Sequence, residues 1–168
     1  SKEVPKSLSG VYFNTLSPLR VDGSIYFLYP GGGLLFQFKN NTIIRIDESF
    51  AHRNQYSGFF FSHKNELYLL GGYGYWEAKN YLTKFNFQSK SWDVVPTQGP
   101  APKGGINQGS FIKKEDSVLV YDFYTSSTSS SSDKQNKNLF ELNLSKLEWF
   151  NRGMLANRKE TKIENVFA

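Results

Sequence analysis

Glu66-Leu67-Tyr68-Leu69-Leu70-Gly71-Gly72 is a short apolar run closed by a glycine pair, and its outline returns twice in the 168-residue chain. Ser117-Val118-Leu119-Val120-Tyr121-Asp122-Phe123 repeats the run without the glycines, and Ser24-Ile25-Tyr26-Phe27-Leu28-Tyr29-Pro30 leads into Gly31-Gly32-Gly33. A period of about 40 to 50 residues marks an architecture of stacked units, each of which buries its apolar face only against the next. The runs are short, rich in aromatic and branched residues and bounded by turn formers. That pattern predicts equivalent strands, apolar enough to be buried on both faces.

Each run is followed by a second shared element. Phe85-Asn86-Phe87-Gln88-Ser89-Lys90-Ser91-Trp92 matches Leu142-Asn143-Leu144-Ser145-Lys146-Leu147-Glu148-Trp149 position for position, tryptophan included. A strand, a polar turn and a strand opening at Trp make a hairpin. Leu35 to Ile44 has the same outline, with Asn40-Asn41 as the turn and Ile in place of Trp. Upstream, Gly58 and Gly109 each lie nine residues before Leu67 and Val118, inside Ser57-Gly58-Phe59-Phe60-Phe61 and Gln108-Gly109-Ser110-Phe111-Ile112. Each repeat therefore holds four strands. The first strand of the first repeat is either Ser9 to Phe13 or Pro18 to Val21, and both alternatives stay open at this level.

A strand ending in Gly-Gly, then an aromatic residue, then Trp seven residues later resembles the kelch repeat, the blade of one β-propeller family; Gly71, Gly72, Phe85 and Trp92 carry the full pattern. Phe85 stands where that family usually has Tyr, the third repeat keeps Trp149 but has Asp122-Phe123 for the glycines, and the first keeps glycines without Trp. The resemblance spans roughly residues 9 to 155. It implies an all-β chain of four-stranded antiparallel blades over residues 9–52, 53–98 and 104–155, with 156–168 opening a further blade. Propellers close with 4 to 8 blades, so the expectation is an incomplete ring: a fragment of a longer protein, or a part-ring that self-associates.

Composition agrees with strands. The chain carries 15 Phe, 10 Tyr and 3 Trp, residues that suit pleated surfaces. It has no cysteine, which excludes disulfides, thiolate metal sites and a cysteine nucleophile. The 20 basic and 15 acidic residues are dispersed, without the clustered cations a nucleic-acid partner requires. No apolar run of about 18 residues is present, so no membrane span is expected. His52 and His63 lack metal-site spacing, and neither a Gly-x-Ser-x-Gly elbow nor a phosphate-binding loop occurs, so no cofactor and no metal are implied. Thr125 to Ser132, almost all Ser and Thr, is read as a surface loop, and Pro96 to Gly105 as an unpaired link between repeats.

The resemblance implies binding of a protein segment or a small polar ligand such as a glycan by loops at one mouth of the ring, and enzymatic use in a minority of cases. Those that rely on a Tyr–Cys cross-link are disfavoured, since this sequence has no cysteine. The loops it places at the mouth carry Arg53, Asn54, Gln55 and Tyr56 before one repeat, Lys103, Ile106, Asn107 and Gln108 before the next, and Tyr73, Tyr75 and Trp76 after the glycine pair. Three large aromatics within four residues cannot all point into a blade, and exposed aromatics beside Arg and amides serve both protein hot spots and sugar platforms. Protein–protein interaction is the leading expectation, and a carbohydrate-binding or carbohydrate-modifying propeller of epimerase or lectin type the alternative. Trp92 and Trp149 are expected in the core.

Overall fold

The computed structural model describes residues 15–30, 33–48, 55–126 and 134–155. Among these the chain is all-β, without an α-helix, and its main strands form three four-stranded antiparallel sheets. The first contains β1 (Ser17–Val21), β2 (Ser24–Tyr29), β3 (Leu34–Lys39) and β4 (Thr42–Arg45) in sequence order. The second begins with β5 (Phe59–His63) and β6 (Glu66–Leu70); a two-stranded ribbon of β7 (Tyr73–Gly74) and β8 (Glu77–Ala78) intervenes before β9 (Leu82–Asn86) and β10 (Ser91–Val95). The third repeats this plan: β11 (Ser110–Lys113), β12 (Ser117–Tyr121), a ribbon of β13 (Phe123–Thr125) and β14 (Lys134–Asn136), then β15 (Asn138–Asn143) and β16 (Glu148–Met154).

Of the two candidates for the opening strand, Pro18 to Val21 lies in β1, and Ser9 to Phe13 falls outside the described residues. The tight turns explain the hairpins. Asn40-Asn41 and Lys64-Asn65 hold both central residues at positive φ, the two-residue geometry whose twist matches that of the flanking strands. The longer turns after β9 and β15 share another device: Asn86 Oδ1 accepts from Gln88 N and Ser89 N, and Asn143 Oδ1 accepts from Lys146 N. They bring Phe85 opposite Trp92 and Leu142 opposite Trp149, while in the first sheet Phe38 faces Ile43. Ile43 thus occupies the tryptophan position. The missing glycine pair of the third repeat also has an explanation, because Asp122 adopts φ 50° where Gly71 has φ 68°, a left-handed conformation that Asp tolerates.

Period-2 alternation divides the middle sheet between two cores. Leu67, Leu69, Phe85 and Trp92 join Val21, Tyr26, Leu28 and Leu35 of the first sheet. Phe61, Tyr68, Leu70 and Leu82 join Val118, Val120, Phe140, Leu142 and Trp149 of the third. Burying each such side chain is worth about 1.5–3 kcal/mol. Trp92 packs edge-on against Phe85 and Phe60, and its Nε1 donates to the Gly33 carbonyl of the first sheet at 2.8 Å. Both tryptophans expected in the core are there.

Three expectations change. Burial of the apolar runs on both faces holds for β6, whereas β2 and β12 alternate, because each terminal sheet has a neighbour on one face only among the described residues. The link after β10 is not unpaired. Pro96, Pro100 and Pro102 have no N–H, but Gln98 between them donates to Leu147 O and accepts from Trp149 N, forming a parallel bridge beside β16. The Ser/Thr-rich connection likewise begins within a strand, since Thr125 pairs with Lys134 in the β13–β14 ribbon.

Candidate binding face

The ribbons β7–β8 and β13–β14 leave the second and third sheets at the same end, where the chain also runs into the first strand of each. The segments leading into these two strands are built alike. Tyr56 and Tyr73 exchange backbone hydrogen bonds of 2.8 and 2.9 Å, and Asn107 and Tyr124 exchange two of 2.9 Å. Ile106 N donates to Lys79 O and Gly72 N to Ile106 O, each at 2.8 Å, so the link is stitched to the ribbon root. Ser126 Oγ accepts from Ala78 N and joins one ribbon to the other. The root needs glycine: at Gly72, with φ 95°, a Cβ would come within 2.7 Å of the Gln55 carbonyl carbon.

Tyr73 pairs with Ala78 and Gly74 with Glu77, which leaves Tyr75-Trp76 as a two-residue turn. Both have positive φ, 50° and 64°. This turn geometry ordinarily takes Asn-Gly, and a bulky aromatic residue there is a conformational outlier. Nor do the side chains sink into the protein: Tyr75 is 66% and Trp76 87% exposed. Tyr81 lies behind the tip, and its phenol is pushed up from the ordinary range by burial first and then by Glu77 and Tyr75. Lys79 pairs with Glu77 on the same ribbon.

The other candidates divide. Tyr56 and Gln108 are exposed on this face, Tyr73 and Asn107 are half-buried, and Lys103 is exposed. Arg53 and Asn54 lie outside the described residues. Gln55 is not a surface residue: it is buried, its Nε2 donates to Leu69 O and Tyr81 O, and its Oε1 accepts from Thr83 Oγ1 at 2.8 Å. Its whole carboxamide is spent on the backbone and hydroxyl groups around the glycine pair. Ile106, the residue in the corresponding place one repeat later, is fully buried too. Sequence reading missed Tyr124, which is exposed at the repeat position of Tyr73; the repeat spacing itself was the signal that could have found it.

The opposite ends of the strands carry the other polar cluster. His63 Nε2 is buried without a hydrogen-bond partner among the described residues and stands 3.6 Å from Asp116 Oδ1 across the boundary between the second and third sheets. Burial, then Lys113 and Lys64, hold its pKa below the usual value; Asp116 and the Glu115 backbone oppose them. Asp116 Oδ1 also accepts from Ser145 Oγ at 3.1 Å. The carboxylate therefore sits between hydroxyl and imidazole, an order that cannot activate the serine, since the base must touch the nucleophile. Among the described residues no group of three His, Cys, Asp or Glu is placed to hold a metal ion.

No family model matches the chain, and no curated protein matches it by sequence. Among solved structures, YjhT is similar in fold, with a TM-score of 0.64 at 14% identity over 84% of this chain and 52% of YjhT. The chain spans about half the length of that structure.

Proposed function

We propose that the three sheets are successive blades of a kelch-like β-propeller and that the chain is a binding module, which engages another protein through the ribbon end of its blades. The blade reading is supported by the repeated strand plan, by the packing of each sheet on the next, and by Trp92 and Trp149 at matching positions in the two cores. The binding reading is carried by Tyr75-Trp76. Two exposed aromatics in an unfavourable backbone conformation add little to folding, so the contact that stabilises them lies outside the chain. A projecting tip suits insertion into the groove of a macromolecule, whereas a glycan is held in a concave site that covers most of its surface. Tyr56 and Tyr124, exposed on the same face, would flank the inserted tip.

The same reading accounts for the terminal faces. Phe38 is 40% exposed, while its counterpart Phe85 in the middle sheet is 3% exposed; Ile112 is 60% exposed against 3% for its counterpart Phe61. Those positions are covered wherever a neighbouring sheet is present, so further blades, from a longer chain or a second copy, would cover them. The test of the binding reading is capture followed by mass spectrometry, run beside a glycan array, with wild type and Trp76→Ala. A protein retained by wild type and lost from the variant is the expected result. Glycan binding that depends on Trp76, or a protein retained equally by both, overturns it.

A further inference from the structure

A cleft of about 260 Å³ opens between the link after β10 and the last hairpin, lined by Pro100, Ala101, Lys103, Asn136, Phe140 and Asn151. Its lining includes none of Tyr56, Tyr75, Trp76 and Tyr124, although Asn136 belongs to the β13–β14 ribbon and Lys103 to the link before β11. Its polar groups are unusual in their uniformity. Asn138 N donates to Asn136 Oδ1 and Gly153 N to Asn151 Oδ1, each at 2.9 Å. A backbone N–H must be answered by an oxygen, so these bonds decide which end of each carboxamide is which and leave Nδ2 with its two hydrogens to offer. Lys103 is exposed and forms no ion pair with any described residue, and its ammonium adds donors and a positive charge.

Negative charge is absent from the same lining. No carboxylate lines the cleft. The nearby Pro102 carbonyl already accepts from Asn80 Nδ2 and Gly105 N, at 3.3 Å each. Glu141, on the same strand as Phe140, is engaged by Arg152, whose guanidinium lies over Phe150. A cation would find no charge partner in this lining. An oxyanion needs donors alone, and it gains from a single unpaired ammonium beside low-dielectric Pro and Phe surface.

We propose that this cleft binds a small oxyanion, a carboxylate or phosphate group, with Lys103 as the counter-charge, Asn136 and Asn151 as hydrogen-bond donors, and Phe140 and Pro100 as the apolar wall. The experiment is a titration of the ¹⁵N-labelled chain with inorganic phosphate, and separately with acetate, against chloride at equal ionic strength. The expected result is saturable shifts of the Asn136 and Asn151 side-chain amides and of the Lys103 backbone amide, with a Kd of millimolar order, about −4 kcal/mol. Lys103→Glu should weaken binding at least about tenfold. Asn136→Asp should weaken it as well, because the carboxylate keeps the bond from Asn138 N but replaces donors by a like charge. Thermal melts of the variants report whether the fold is kept, and Asn151→Asp serves where Asn136→Asp is unstable. Shifts that chloride reproduces, that spread linearly over the lysines at large, or that survive Lys103→Glu overturn the proposal.

Discussion

Replacing Tyr75-Trp76 by Asn-Gly separates folding from binding at the ribbon tip. Left-handed φ disfavours an L-residue by roughly 1–2 kcal/mol, and two such residues stand in succession, at 50° and 64°. Asn relieves part of that penalty and Gly all of it, while Gly returns roughly 0.5–1 kcal/mol through the greater freedom of the unfolded chain. The side chains removed are mostly solvated, so little packing is lost with them. The net expectation for Tyr75→Asn with Trp76→Gly is a gain of about 1–2 kcal/mol, or roughly 2–8 °C in Tm for a chain of this size. Urea unfolding followed by circular dichroism measures it, with an unchanged m-value showing that both states expose the same surface. The double variant should also lose the partner that wild type retains. A lower unfolding midpoint would mean that the turn is unstrained or its aromatics packed, and the argument that their stabilising contact lies outside the chain would fail.

Three further outcomes follow from the packing. Trp92→Ala should destabilise by about 3–5 kcal/mol, because it opens a cavity between two sheets and leaves the Gly33 carbonyl unanswered, whereas Trp76→Ala should change stability by well under about 1 kcal/mol; equal losses in chemical denaturation would contradict their assignment to core and tip. His63 is held neutral in the folded chain, with a folded pKa below the ordinary 6.5, so the unfolded state binds the proton more readily. Stability should be complete above pH 6.5 and should fall as pH drops through 6.5 toward the folded pKa, with a slope of up to about 1.4 kcal/mol per pH unit. His63→Gln should flatten that slope, and denaturation midpoints across the range decide it. Finally, the 168-residue chain alone should associate in a concentration-dependent way, and Ile112→Lys should weaken this without altering the β spectrum; light scattering from a monomer at high micromolar concentration would oppose covered terminal faces.

How the pattern became legible depends on the range over which each signal acts. Four strands per repeat, the Asn40-Asn41 turn and the burial of Trp92 and Trp149 were visible because short apolar runs, turn chemistry and repeat spacing are local properties of the chain. The candidate face was legible only in part. Tyr56, Tyr75, Trp76 and Gln108 are exposed as expected, but Gln55, a polar residue in a loop, is turned inward by carbonyls of Leu69 and Tyr81 that lie 14 and 26 residues away. No local signal marks a carbonyl as needing a donor. The pairing of Gln98 with Leu147 and Trp149 was hidden for the same reason, since the flanking prolines say only that their own nitrogens donate nothing.

The sequence by itself therefore determined the strand class, the number of repeats and the burial of Trp92 and Trp149, because each follows from side-chain type at fixed spacing along one chain. Tertiary structure alone decided which faces stay uncovered, which polar side chains are consumed by distant backbone, and that Tyr75 and Trp76 occupy a strained turn. Those facts depend on what the neighbouring sheet and ribbon bring into contact. Phe38 and Phe85 illustrate the limit: they hold the same place in their repeats, and only the presence of a packed neighbour makes one a core residue and leaves the other open to solvent.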